Sequence, residues 1–167
     1  MDFSIREATE EDYSRLIELF AEVDTLHRKA LPKVFRKTDG SARTEEYIFG
    51  IIANGNACLF VTEHHSQVVG FAQGFIRQAP DIPVIVPRRY GVVDDVVVRE
   101  GFRRLGVGRS LVKRVEQWVL EKGVLQIDLN IWEFNKGAMA FYEEVGYLTA
   151  SRKMQRWLSD DAGGHQQ

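Results

Sequence analysis

One cysteine, Cys58, stands in 167 residues. That excludes an internal disulfide framework and any multi-cysteine zinc site, and it fits a reducing compartment. No charge of one sign dominates: 22 Lys and Arg against 24 Asp and Glu give a formal net charge of −2. No global basic field therefore draws nucleic acid or an anionic membrane, although a small basic site stays open. No apolar run approaches the ~18 residues of a membrane span. The opening Met1-Asp2-Phe3-Ser4 lacks the basic region and apolar stretch of a secretory leader. Internal repeats, linkers and a second-domain boundary are missing too. What is there, 44% hydrophobic and 28% charged residues, is ordinary for a globular chain long enough to bury a sizeable core. The expectation is a soluble, cytoplasmic protein with one domain over residues 1–158. Residues 159–167 have no apolar pattern and read as a disordered tail.

Periodicity places the elements. Phe3 and Ile5 alternate with Ser4 and Arg6 in a first strand over residues 3–8. Thr9 is set as an N-cap with Asp12 three residues on. Tyr13, Leu16, Ile17, Phe20 and Val23 then fall at helical spacing, and Pro32 interrupts the pattern. A second short helix is expected over residues 44–54, then a hairpin turning at residues 64–67 between strands 57–63 and 68–77. A loop with Pro80, Pro83 and Pro87 leads into a strand over 91–98. Val107, Leu111, Val115 and Trp118 mark one face of a helix closed by Gly123. Leu125, Ile127, Leu129 and Ile131 alternate as a strand. Asn135 caps a last helix closed by Gly146, and a final strand is expected over 147–158. The order βααβββαβαβ gives a mixed α/β (α+β) domain.

Chemistry concentrates in the run from Val96 to Leu111, which reads as a strand, a turn rich in arginine and glycine, and an amphipathic helix. Backbone amides at a helix start form an anion site, strengthened by the positive end of the helix dipole. Gly106 and Gly108 have no Cβ, so a phosphate can approach the backbone. Arg103, Arg104 and Arg109 add positive charge, and a diphosphate is the natural ligand. A Walker A loop fails because Val107 stands where its lysine must be. A dinucleotide fingerprint fails because Leu111 stands where its third glycine must be, and because four strands precede the motif.

Arg-x-x-Gly-x-Gly at residues 103–108, joined to Asn135-x-x-Ala138-x-x-x-Tyr142-x-x-x-Gly146-Tyr147, resembles the GNAT superfamily of acyl-CoA-dependent N-acetyltransferases. The resemblance implies a central mixed, mostly antiparallel sheet flanked by helices, and acetyl-CoA as co-substrate. It implies that Val96 and Val98 offer backbone groups to the pantetheine arm. The loop from Arg103 through Arg104, Gly106, Val107 and Gly108 to Arg109 would hold the pyrophosphate through main-chain amides. Asn135 matches a position that contacts the coenzyme arm, and Tyr142 matches the tyrosine that protonates the departing thiolate. Asp94 and Asp95 match an acidic pair near the acceptor amine, as in the polyamine acetyltransferases that this segment resembles. The histone-acetylating branch places its base two residues earlier, where this chain has Val92, so that form of catalysis is not supported.

Residue chemistry fits amine acetylation by direct attack on the thioester. An alkyl ammonium of pKa ~10.4 must lose a proton before it attacks. Asp94 can attract it and relay the proton through water, and the Tyr142 phenol can protonate the thiolate. Strand alternation lets only one of Asp94 and Asp95 face the acceptor, and which one is open. His27 can line an acceptor pocket, a surface place being the simpler reading. His64 and His65 read as exposed turn residues and Cys58 as core; no His, Asp or Glu spacing points to a metal. The expected partner is a small-molecule or peptide amine, with no nucleic acid and no membrane; a homodimer stays open. Two rivals remain, a non-catalytic acyl-CoA-binding or sensing module and a protein N-terminal or lysine acetyltransferase.

Overall fold

The structure is a computed structural model in which residues 2–158 are described; the tail at 159–167 lies outside the described residues. The chain divides into two compact units, Met1–Phe134 and Asn135–Gln167.

The first unit is built on a five-stranded sheet in the order β1-β2-β3-β4-β5. Its strands are β1 (Ser4–Glu7), β2 (Ala57–His64), β3 (Gln67–Gln78), β4 (Arg89–Val98) and β5 (Ile127–Leu129). All neighbours pair antiparallel except β4 and β5, which pair parallel. The β2–β3 turn is two residues, His65 and Ser66, at φ 48° and 61°. Positive φ at both central positions is the mark of a hairpin turn whose twist matches the strands.

Helices cover both faces. Helix α1 (Tyr13–Ala30) and α2 (Glu45–Ile52) lie on one side, burying Leu16, Leu19, Phe20, Ile48 and Ile51 against Leu59, Val61, Phe71 and Val97. Helix α3 (Val107–Glu121) lies on the other, burying Leu111, Val115, Trp118 and Val119 against Phe60, Ala72 and Val93. The caps at Thr9 and Gly123 are as the sequence signals, and Thr44 adds another. Thr44 Oγ1 accepts from the Tyr47 amide at 3.2 Å, the Thr9 amide donates to Asp12 at 2.9 Å, and Gly123 takes φ 70° past the end of α3. Asp12 is buried because Arg6 grips it twice, at 2.7 and 2.9 Å. Among the described residues no helix is long and apolar enough to cross a membrane.

The second unit contains α4 (Lys136–Glu144), capped by Asn135, whose Oδ1 accepts from the Ala138 amide at 3.1 Å. It ends through Gly146 at φ 100°. The strand expected over 147–158 is absent. The apolar residues there, Tyr147, Leu148, Met154, Trp157 and Leu158, do not keep period two, and charged residues interrupt them, so the segment presents no face to bury. Two histidine expectations are also corrected. His65 is exposed, but His64 is half-buried, its ring 5.1 Å from Phe3 and 5.7 Å from Phe102. His27 is half-buried as well, its ring packed as described below.

Candidate active site

The site begins with one extra residue in β4. Gly74 pairs with Val93 and Gln73 with Asp95, so Asp94 is left over as a β-bulge. The consequence shows in the cores. Val93 and Val97, four residues apart, would share a face in an unbroken strand, yet Val93 packs on the α3 side and Val97 on the α1 side.

The bulge sets both backbone and side chains. The Arg99 amide donates to the Val69 carbonyl at 2.8 Å, so residue 99 turns its backbone toward β3. Alternation then turns the backbones of Val96 and Val98 to the opposite edge. On that edge β5 pairs with β4 only over Gly91–Val93 and stops at Leu129, and among the described residues no strand lies beside the rest of β4 there. The Val98 carbonyl is taken: it accepts from Arg103 Nε at 2.8 Å.

The alternation expected to put Asp94 and Asp95 on opposite faces does not hold. Phe71 belongs to the α1-side core and Ala72 to the α3-side core, so Gln73 projects to the α1 side. Gln73 is fully buried, and its Nε2 donates to Asp94 Oδ2 at 3.0 Å. Asp95 stands directly opposite Gln73 in the register, which places it on the same face. Strict alternation fails here because the bulge inserts a residue between the two faces.

Charge around this pair is uneven. Burial first, and then the Asp94 and Asp24 carboxylates, push the Asp95 carboxyl up to about 6, with Arg43 opposing. Arg43 is ion-paired to Asp24, and its guanidinium lies 4.5 Å from the centre of the Phe20 ring. Its own carbonyl is fixed by the Tyr13 hydroxyl at 3.0 Å and the Ser41 hydroxyl at 2.8 Å. On the same helix as Asp24, His27 stacks on Phe35 at 5.1 Å and meets the Phe134 ring edge-on at 5.8 Å, while Phe35 meets Trp132 at 5.5 Å. Burial in this aromatic group lowers the His27 pKa from its ordinary value, which favours the neutral ring. Cys58, by contrast, is core: burial pushes its thiol up to about 12, the opposite of what a nucleophile needs.

The glycine loop sits beyond the end of β4. Arg104 at φ 61° and Gly106 at φ 85° turn the chain into α3. Gly106 is the N-cap and supplies no side chain. The first intrahelical bond is from the Ser110 amide to the Gly106 carbonyl at 3.0 Å, so the amides of Val107, Gly108 and Arg109 precede the ladder. No acidic residue lies in this first turn, and Arg109 puts a cation where the helix dipole favours an anion. An anionic ligand suits such an end. The Arg103 guanidinium is turned back on the fold, to Val98 and toward Glu22 at 3.9 Å, whereas Arg104 is exposed. In the second unit, Asn135 spends its Oδ1 on capping α4. The half-buried Tyr142 ring lies 5.0 Å from Phe141 and 5.4 Å from Tyr147.

Sequence reasoning missed Asp24, Arg43, Gln73 and the aromatics Phe35, Trp132 and Phe134. Gln73 carried a signal, being the one amide inside the apolar run Val68-Val69-Gly70-Phe71-Ala72-Gln73-Gly74-Phe75. The others come together only through folding.

Comparison with known proteins adds the family. The profile of the acetyltransferase (GNAT) family matches residues 16–147. The chain is 30% identical to a thialysine N-epsilon-acetyltransferase of Caenorhabditis elegans, over 42% of this chain and 44% of that protein. It is 29% identical to an L-ornithine N5-acetyltransferase of Arabidopsis thaliana, over 44% of this chain and 32% of that protein. The matches thus span less than half the length of these curated relatives. The tetramutant of the BH1408 protein from Bacillus halodurans has the same fold, with a TM-score of 0.87 at 23% identity, over 93% of this chain and 99% of that one.

Proposed function

The chain belongs to the acetyltransferase (GNAT) family, and on that premise we propose that it moves an acetyl group from acetyl-CoA to a small primary amine. The observation that carries this reading is the bulge in β4, which brings Asp94 and Asp95 to one side of the sheet beside Gln73. Two adjacent carboxylates attract an ammonium group, and Asp95, held near 6, is a stronger base than an ordinary aspartate. The relatives named for thialysine and ornithine acetylation point to acceptors of the same kind, with an amine at the end of a flexible chain.

Acetyl-CoA supplies an activated acetyl thioester. The amides of Val107, Gly108 and Arg109, with Arg104 and Arg109 nearby, suit its diphosphate. The backbones of Val96 and Val98 along the open edge of β4 suit an amide-bearing arm, and Arg103 shapes that edge by holding the Val98 carbonyl. Asn135 is assigned to the same arm through its Nδ2. At the acceptor end, Asp94 holds the ammonium and Asp95 receives its proton, directly or through one water. The freed amine attacks the thioester carbon, the carbon–sulfur bond breaks, and the Tyr142 hydroxyl supplies the proton that the sulfur needs. The assigned catalytic domain is residues 1–158, acting in the cytoplasm, where the unpaired Cys58 stays reduced. A panel of primary amines with acetyl-CoA, read by thiol release, tests the proposal. Thiol release that depends on a small amine is expected; binding of acetyl-CoA without turnover on any amine would refute it.

A further inference from the structure

Gln73 is the one buried amide between the two acids, and its two ends are chemically unlike. An ionised carboxylate can only accept hydrogen bonds, so the end of Gln73 that meets Asp94 must be its NH2, as the 3.0 Å contact from Nε2 has it. That fixes the carbonyl end. Gln73 Oε1 is buried and has no hydrogen-bond partner among the described residues, an arrangement that folded proteins rarely leave standing. Directly across the ladder from Gln73 stands Asp95, and the Cβ atoms of such facing residues lie ~4.5–5.5 Å apart. While ionised, Asp95 has nothing to donate. Once protonated, it carries the O–H that Gln73 Oε1 lacks.

We infer that Gln73 is a positioning residue that divides the labour of the acid pair, its NH2 holding the Asp94 carboxylate in place and its carbonyl receiving the Asp95 hydroxyl after Asp95 takes the proton of the amine. This rests on the reading of the pair as the amine site. The step balances: an N–H bond of the ammonium breaks, an O–H bond forms on Asp95, and the amine keeps the electron pair. Asp94 takes no part in the transfer and continues to hold the nitrogen. The other charged groups that bear on Asp95 are Asp24 on α1 and Arg43 before α2, and these two are committed to each other. The raised proton affinity of Asp95 has the sign that the bridge requires.

The test is the stability of Gln73→Leu, measured by denaturant unfolding at about pH 5 and about pH 8, in wild-type and Asp95→Asn backgrounds. Asparagine donates at both pH values and Asp95 only when protonated. In the wild-type background, Gln73→Leu is therefore expected to cost more at pH 5 than at pH 8, relative to the same difference in the Asp95→Asn background. The excess is about tenfold in the unfolding constant for each unit by which the bridge raises the Asp95 midpoint. An effect of the substitution on Asp94 that does not pass through Asp95 is common to both backgrounds and cancels. An effect through lost polarity alone has the opposite sign, because an apolar neighbour favours the protonated acid. Gln73→Met repeats the measurement should leucine fail to fold. With turnover on an amine, both variants are expected to lose about tenfold or more in kcat with the KM for acetyl-CoA unchanged. A cost that is equal at the two pH values, or larger at pH 8, overturns the bridge even if Asp95→Asn is slow. If the coupling is present while Asp95→Asn turns over at the wild-type rate, the bridge stands and the acid-pair reading falls.

Discussion

Replacing Asp95 by asparagine changes one atom type at the centre of the proposed site and keeps the shape. An alkyl ammonium has a pKa of ~10.4, so at about pH 7 only roughly one molecule in 2,500 is free amine. Were that fraction the only reactive species, kcat/KM for the amine would climb tenfold per pH unit toward about pH 10. If Asp95 takes the proton inside the complex, kcat/KM instead rises to about pH 6, where Asp95 ionises, and is flat above it. The mismatch between base and ammonium narrows from about 6.6 units for an ordinary aspartate to about 4.4 for Asp95. That difference is worth roughly 3 kcal/mol of proton-transfer driving force. Asp95→Asn is expected to lower kcat/KM about 10²-fold or more near pH 7, within the range of general-base contributions. The plateau should be replaced by a continuing rise, so that the deficit shrinks as solution supplies free amine. Stability provides the control. A carboxyl whose folded pKa is raised contributes most below its unfolded value and loses that contribution as pH rises through the folded one, here between about pH 4 and about pH 6. Asp95→Asn avoids that loss and should melt above the wild type at neutral pH. An unchanged plateau in a well-folded Asp95→Asn variant would refute the assignment of the proton to Asp95.

Gly108→Val, at the second residue of α3, should abolish the rise in Tm that acetyl-CoA produces through linkage, while the melting of the free protein changes little. Tyr142→Phe should lower kcat by about 10²-fold with acetyl-CoA affinity nearly unchanged, since the hydroxyl is required in the transition state; stopped-flow thiol release and calorimetry separate the two. Asp12→Ala should cost about 2–4 kcal/mol in urea unfolding, because it removes a buried carboxylate that takes two bonds from Arg6 and one from the Thr9 amide. The Arg6 guanidinium holds Asp12 below its ordinary pKa. Its contribution is thus full above about pH 4 and is lost as pH falls through the lowered value, and the acid sensitivity of stability should weaken in the variant.

Local signals made much of the frame legible. Thr9, Thr44, Asn135, Gly123 and Gly146 mark helix ends through hydrogen bonds and positive φ that act within a few residues, so the chain itself announces them. The apolar periods of α1 and α3 likewise need no partner to be read. The glycine loop is local too, since Gly106 and the three amides after it belong to one turn. Elements that depend on distant partners were less legible. Residues 147–158 have strand-like composition without a consistent face. His27 lies in a polar stretch, yet Phe35 and Phe134 arrive from elsewhere to pack against it. The link of Arg43 to Asp24, nineteen positions apart, follows from the packing of α1 against the segment before α2.

Asp94 and Asp95 show the limit most clearly, because the residues were identified and their geometry was not. Alternation predicts opposite faces for neighbours, and the bulge that cancels it is a property of the β3–β4 register. The register is constrained from both sides. Gly74 must sit under Val115, where an added Cβ would come within 2.8 Å of that side chain. Gly91 must sit under Val119, where one would come within 2.6 Å. These contacts hold the first half of β4 with its odd residues toward α3, as Val93 packs. At the far end Val97 fills the core beneath α1, so the second half holds its odd residues toward the opposite side. Two halves of one strand with opposite parity can be joined only by an extra residue, and it falls at Asp94. The same insertion that gathers the carboxylates also turns the backbones of Val96 and Val98 to the unpaired edge. The acceptor and coenzyme sides of the proposed site therefore depend on a single irregularity, set by the packing of α1 and α3 on opposite faces of the sheet.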